Sequence, residues 1–205
     1  MKLYLSSFRI PAPDALAKLI GKPLSEVRVA LIPNAKDYYI KRVKDLADAD
    51  MIQYMQQLGM HAEVVDLQEH EQAKELKSRL SSYDLVWVRG GNTYMLRYQM
   101  KRSGFETIIR DLLDSGIVYG GDSAGALAAG ISIAGVELAD DPRFAEELVN
   151  DGLSLVPVVI LPHVDNPEFA DVLPVFRELH KDKEIIELKD SQAIIFDGNS
   201  RQLVG

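Results

Sequence analysis

The chain of 205 residues contains no cysteine. That excludes disulfides, thiolate metal sites and any cysteine nucleophile, so a nucleophile here must be an oxygen. Long apolar runs are missing too, and nothing approaches the roughly 20 residues of a membrane-spanning helix. The opening Met1-Lys2-Leu3-Tyr4-Leu5 turns polar too early for a secretory leader and reads as a first strand. A cytoplasmic protein without a membrane partner is expected. Basic charge is in deficit: 23 Lys and Arg stand against 31 Asp and Glu, a net charge of −8. With no basic patch to replace counterions, a nucleic acid is not expected as partner. Repeats, low-complexity tracts and Pro/Gly-rich linkers are absent, so residues 1–205 are expected to form one domain.

The chain alternates apolar runs with helical patterns, which predicts an α/β fold with a mostly parallel sheet and helices on both faces. Strands are expected at Lys2–Ser6, Arg28–Ile32, Ala62–Asp66, Leu85–Val88 and Ile117–Gly120. Further ones fall at Val156–Leu161, Glu184–Leu188, Ala193–Phe196 and Gln202–Val204, with Ile131–Val136 a candidate hairpin or loop strand. Helices are expected at Asp14–Ile20, Tyr38–Leu58, Glu69–Ser81, Tyr94–Ser103, Phe105–Ser115, Ala124–Ala129 and Pro167–Lys181. In the helix from Tyr38, the spacing of Ile40, Val43, Leu46, Ala47 and Met51 predicts a buried stripe, continued by Tyr54 and Met55. Lys36, Lys41, Arg42 and Lys44 read as its solvated face.

The most informative segment is Gly120-Gly121-Asp122-Ser123-Ala124-Gly125, directly after the apolar Ile117-Val118-Tyr119. It reads as a nucleophile elbow, a strand turning sharply into a helix with a serine in a strained corner. Small residues are needed two places before and after the serine, and Gly121 and Gly125 supply them. The bland alternative is a tight turn with Ser123 as a mere N-cap.

In open α/β sheets, ligands bind beyond the carboxyl ends of strands. Among the four histidines, His61 precedes a strand, His70 lies in a polar helix start, and His180 ends an amphipathic helix in a surface setting. His163 follows Val156-Pro157-Val158-Val159-Ile160-Leu161-Pro162, where a general base for Ser123 belongs. Asp190, at another strand-terminal loop, is the candidate to orient it. Asp165, Glu137, Asp140 and Asp141 are rivals, Asp165 being better placed to hold the loop. Arg89-Gly90-Gly91-Asn92-Thr93 follows a strand and opens a helix. Its glycine pair exposes backbone N–H groups that, with the Ala124 amide, make a candidate oxyanion hole, while Asn92 or Thr93 caps the helix. No metal site or cofactor is expected. A phosphate-binding module is disfavoured because Ser6-Ser7-Phe8-Arg9-Ile10-Pro11, after the first strand, has no glycine.

Together, Gly90-Gly91-Asn92-Thr93-Tyr94, Gly121-Asp122-Ser123-Ala124-Gly125-Ala126 and Leu161-Pro162-His163 resemble the dipeptidase E (aspartyl dipeptidase) family of serine peptidases. The resemblance covers essentially the whole chain. It implies a flavodoxin-like fold related to class I glutamine amidotransferases and a small peptide substrate. Ser123 would be the nucleophile, His163 the base, and Gly91 and Ala124 the oxyanion donors. Asp190 would stand where the bacterial aspartyl dipeptidases have a glutamate. The order serine, histidine, acid differs from the serine, acid, histidine order of an α/β-hydrolase. An esterase or amidase on the same triad remains the alternative activity. Members specific for aspartate carry an arginine downstream of the histidine. Here Arg177 is the only arginine between His163 and Asp190, on a helix whose Val172, Val175, Phe176 and Leu179 are expected to face the core. Arg177 should therefore point outward, leaving Arg89 as the candidate substrate-binding cation.

Overall fold

The computed structural model describes residues 1–205. Strand β1 (Lys2–Ser6) is followed by α1 (Pro13–Ile20) and β2 (Arg28–Ile32). Next come α2 (Lys41–Gln57), β3 (His61–Val64), α3 (Ala73–Leu80) and β4 (Leu85–Val88). Helices α4 (Thr93–Arg102) and α5 (Phe105–Asp114) lead to β5 (Val118–Asp122) and α6 (Ala124–Ala129). The chain closes with β6 (Val159–Leu161), α7 (Val172–Leu179), β7 (Ile185–Glu187), β8 (Ala193–Asp197) and β9 (Ser200–Val204).

Seven strands form one sheet in the order β3-β2-β4-β5-β1-β8-β9, and β6 and β7 pair separately. The first five are parallel, while β8 and β9 run antiparallel at one edge. Leu85-Val86-Trp87-Val88 is buried throughout, as a parallel strand covered on both faces must be. Its side chains divide by the strand period of two. Val86 and Val88 join Leu96, Phe105 and Ile109 on the face of α3 to α6. Leu85 and Trp87 join Leu16, Met51 and Met55 beneath α1 and α2.

Register then sets the position of the site. Ser6 lies beside Asp122 in the β1–β5 pair, and Val88 beside Gly121 in the β4–β5 pair. The carboxyl ends of β1, β4 and β5 are thus level, and the residues after them meet above one edge of the sheet. The β6–β7 pair, with Leu161 beside Glu187, brings two more strand ends to that edge.

Several expected elements are shorter or differently faced. The helix expected at Pro167–Lys181 starts only at Val172, after a 3₁₀ turn at Pro167–Phe169. Pro174 explains this, because a helix reaching back to Ala170 would need its missing N–H and would clash with that carbonyl. On α7 Val172 and Phe176 are buried, but Val175 and Leu179 are about half exposed. Pro157 likewise shortens the strand expected at Val156–Leu161 to Val159–Leu161. Ile131–Val136 forms no strand, and only Ser132 makes a bridge, to Asp151.

The expected stripe on α2 holds only in its second half. Met51 and Met55 are buried, whereas Ile40, Val43 and Leu46 face solvent. Asp48 takes an inward position instead, drawn by Arg89. Lys44 is not on a solvated face either; its ammonium lies 2.6 Å from Asp37 and 2.7 Å from Asp66. His180 is buried, not superficial. Its Nε2 contacts the Ala134 carbonyl at 2.8 Å and its ring meets Phe176 edge-on.

Helix α6 sits very close to the sheet. A Cβ on Gly125 would lie 2.1 Å from the Val88 carbonyl oxygen, and one on Gly121 would lie 2.6 Å from the Gly125 carbonyl carbon. Gly125→Ala should therefore lower unfolding stability by about 1–3 kcal/mol or more, from overpacking against backbone that cannot yield. An unchanged urea midpoint would contradict this close approach.

Candidate active site

Ser123 is the single residue between β5 and α6, with φ 51° and ψ −114°. A positive φ is unusual for any residue with a Cβ. The glycines on either side let helix and strand approach until only this conformation joins them. Its N–H donates to the Ser6 carbonyl at 3.1 Å, which pins the corner to β1. The Asp122 carboxylate accepts from Trp87 Nε1 at 2.7 Å and from the Gly90 N–H at 3.3 Å, tying the loop after β4 to the same corner. Burial pushes the Asp122 carboxyl above the usual range, against the pull of Arg89 and these two donors.

His163 stands two residues beyond β6, also at positive φ, 62°. Its Nε2 lies 2.8 Å from Ser123 Oγ and its Nδ1 2.5 Å from Asp190 Oδ1. The Phe169 ring stacks on the imidazole with centroids 4.4 Å apart. Ser7, directly after β1, accepts the His163 N–H at 2.8 Å and donates to Asp190 Oδ1 at 2.9 Å. Asn166 Nδ2 donates to Asp190 Oδ2 at 3.0 Å. Burial raises the Asp190 pKa, but hydrogen bonds from His163, Ser7 and Asn166 outweigh it, and the carboxyl is held below its ordinary value.

Gly91 adopts φ 148°, and a Cβ there would fall 2.4 Å from the Ala35 carbonyl oxygen. Its N–H donates to no protein acceptor, in contrast to that of Asn92, which reaches the Ala35 carbonyl. Ala124 opens α6, so its N–H has no partner within the helix. Gly91, Ala124 and Ser123 border one cavity. Asn92 caps α4 through Oδ1, which accepts the Met95 N–H at 2.9 Å.

The rival carboxylates are otherwise engaged. Asp165 Oδ1 accepts the Asp190 N–H at 2.9 Å, so it holds the loop that carries Asp190. Asp140 is bonded to Thr93, Glu137 to Tyr94 and Asp141 to Arg143. Arg89 lines the neighbouring cavity, with Nη1 bonded to Asp48 at 2.9 Å and to the Ala47 carbonyl at 2.8 Å. Arg177 does point outward, where it pairs with Glu187. Ser7, Asn166 and Phe169 escaped the reading of the sequence. Of these only Ser7 carried a signal, its position just past a strand.

A mostly parallel sheet with helices on both faces and a serine at a strand-to-helix corner defines the fold class, an α/β protein with its candidate site at the carboxyl ends of the strands. The sequence model of peptidase family S51 matches residues 9–204, and the chain belongs to that family. It is a serine-type peptidase. An uncharacterised peptidase of Listeria monocytogenes is 28% identical over 198 residues, spanning 94% of this chain and 92% of the relative. Peptidase E of Shewanella denitrificans is 26% identical over 214 residues, spanning 99% of this chain and 87% of the relative. Among solved structures, a peptidase E-type protein of L. monocytogenes EGD-e superposes with a TM-score of 0.82 at 25% identity, covering 99% and 97% of the two chains. No helix is long and apolar enough to cross a membrane.

The depressed Asp190 carboxyl has a consequence for stability. A folded pKa below the unfolded one stabilises above the unfolded value, about 3.9 for Asp, and that stabilisation is lost as pH falls through the folded value. In urea titrations, the stability difference between wild type and Asp190→Asn should shrink as the pH drops below about 4. A difference that grows under acid would contradict the assignment of Asp190 as an ionised, hydrogen-bonded group.

Proposed function

We propose that Ser123, His163 and Asp190 act as the catalytic triad of a peptidase cleaving short peptides, with the Gly91 and Ala124 amides as its oxyanion hole. The observation that carries this reading is the unbroken hydrogen-bond chain from Ser123 Oγ through His163 to Asp190, beside two free backbone donors. In the reaction, Ser123 Oγ attacks the scissile carbonyl carbon while His163 Nε2 takes its proton. Asp190 fixes the ring tautomer and stabilises the imidazolium. The carbonyl electron pair moves onto oxygen, where the two amides receive it; one such donor is worth about 2.7–4 kcal/mol of barrier. When the C–N bond breaks, His163 returns the proton to the leaving amine. Water, deprotonated by the same histidine, then releases the acyl group from Ser123.

Phe169 and Ser7 support the base from two sides. One limits the tilt of the ring, and the other holds both the His163 backbone and the Asp190 carboxylate. The positive φ at His163 points the same way, since strained backbone persists where surrounding contacts over-determine it.

Steady-state kinetics on a dipeptide panel tests the triad. Ser123→Ala and His163→Ala should each lower kcat by about 10⁴-fold or more, and Asp190→Asn should lower it less than His163→Ala. Because the members act as a unit, the His163→Ala/Asp190→Asn double variant should be little slower than His163→Ala. A crippled Asp165→Asn beside a near-normal Asp190→Asn would overturn the choice of acid.

A further inference from the structure

Two cavities meet at Ser123, and their walls differ in chemistry. One, of about 270 Å³, is walled by Leu127, Val136, Leu161, Val172 and Leu173, with Asp140 its only carboxyl group. The other, of about 480 Å³, is polar: it holds the cations Arg9, Lys36 and Arg89 together with the carboxyl groups of Asp50, Asp122, Glu168 and Asp190. Gly91 and His163 belong to both. Ala124 borders only the apolar cavity, while Asp190 and Asn166 border only the polar one.

The proposed reaction assigns a role to each cavity. Once the carbonyl oxygen points at the Gly91 and Ala124 amides, the leaving nitrogen must face His163 Nε2 to be protonated. The flank of the histidine that carries Asp190 and Asn166 opens into the polar cavity, so the leaving residue extends there. The acyl residue then turns along α6, past Ala124 and Leu127, into the apolar cavity. No cation waits in that cavity for an acidic side chain. Its one carboxyl, on Asp140, is engaged by the Thr93 N–H and hydroxyl and pushed above the usual range by burial, and it offers an acidic side chain no positive partner.

In the polar cavity the three cations are not equivalent. Arg9 is paired with Asp50 at 3.0 Å and Arg89 with Asp48 at 2.9 Å. Lys36 enters no ion pair, and its ammonium lies over the Tyr39 ring, 5.6 Å from the centroid. Burial, and then the charge of Arg89, lower its pKa, against the opposing pull of Tyr39, Asp122 and Asp48. Resting on the triad reading, we propose that the substrates are short peptides with an apolar residue on the acyl side of the scissile bond and a carboxylate on the leaving residue, which Lys36 binds. That carboxylate is either the chain terminus of a dipeptide or the side chain of an acidic leaving residue.

Four probes separate these terms: Leu-Leu, Leu-Leu amide, Leu-Asp amide and Asp-Leu, assayed on wild type, Lys36→Met and Lys36→Arg. Wild type should cleave Leu-Leu at least tenfold better than Asp-Leu in kcat/KM. Lys36→Met should lose tenfold or more on carboxylate-bearing substrates, chiefly through KM, with no effect on Leu-Leu amide, and Lys36→Arg should recover part of the loss. Poor cleavage of both amides by wild type assigns Lys36 to the terminal carboxylate. Good cleavage of Leu-Asp amide extends the assignment to the acidic side chain. A wild type that prefers Asp-Leu, or cleaves acid and amide alike, overturns the proposal, as does a Lys36→Met loss equal on all four. Fluorophosphonate labelling in parallel keeps the two readings apart. Ser123 labelled normally while the panel fails refutes the substrate class alone, whereas no labelling at Ser123 refutes the triad beneath it.

Discussion

The close approach of α6 to the sheet governs this structure. A carbonyl oxygen of β4 occupies the volume where Gly125 would carry a side chain, and Gly121 faces the Gly125 backbone, also too closely for a Cβ. With strand and helix so near, one residue must reverse the chain, and Ser123 does so at positive φ. The strain is held by contacts on both sides: the Ser6 carbonyl receives the Ser123 amide, and Asp122 links the corner to Trp87 and Gly90. Loosening that packing would move the serine hydroxyl, the Ala124 amide and the Gly91 loop together. They are positioned as one unit.

The remaining parts arrive from a separate pair of strands. His163 and Asp190 follow β6 and β7, so their placement depends on how that small sheet seats against the large one. Ser7 is the join. It leaves the central strand β1 and bonds at once to the His163 backbone and the Asp190 carboxylate. Through it, the register of β1 against β5 fixes His163 relative to Ser123. Asp165, two residues from His163, braces the Asp190 amide and completes the loop. Near this site Asp140, Asp165 and Asp190 are committed to local donors, and the charges facing the polar cavity without an ion pair are the ammonium of Lys36 and the carboxylate of Glu168.

Which features could be read from the sequence follows from how local their causes are. The alternation of elements and the glycine spacing around Ser123 express sterics within a few residues, and the expected β1, β2, β4 and α6 agree with the structure to the residue. His163 and Asp190 could be singled out because chemistry in a parallel sheet concentrates at carboxyl strand ends. The roles of Asp48, Lys44 and Ser7 could not, since each depends on a partner far along the chain, 22 residues away for Lys44 and Asp66, 41 for Asp48 and Arg89, and 183 for Ser7 and Asp190. The α2 stripe misled for the same reason. A charged pair with Arg89 drew Asp48 inward, and periodicity alone counts apolar residues without weighing such a pair. Pro174 and Pro157 are the signals in the sequence for the shorter α7 and β6.

The most direct measurement is a crystal structure of the protein inactivated by a small alkyl fluorophosphonate. A single adduct on Ser123 Oγ is expected, its phosphoryl oxygen about 2.7–3.1 Å from both the Gly91 and Ala124 nitrogens, with His163 still bonded to Asp190. An adduct on another residue, or a phosphoryl oxygen turned away from both amides, would contradict it.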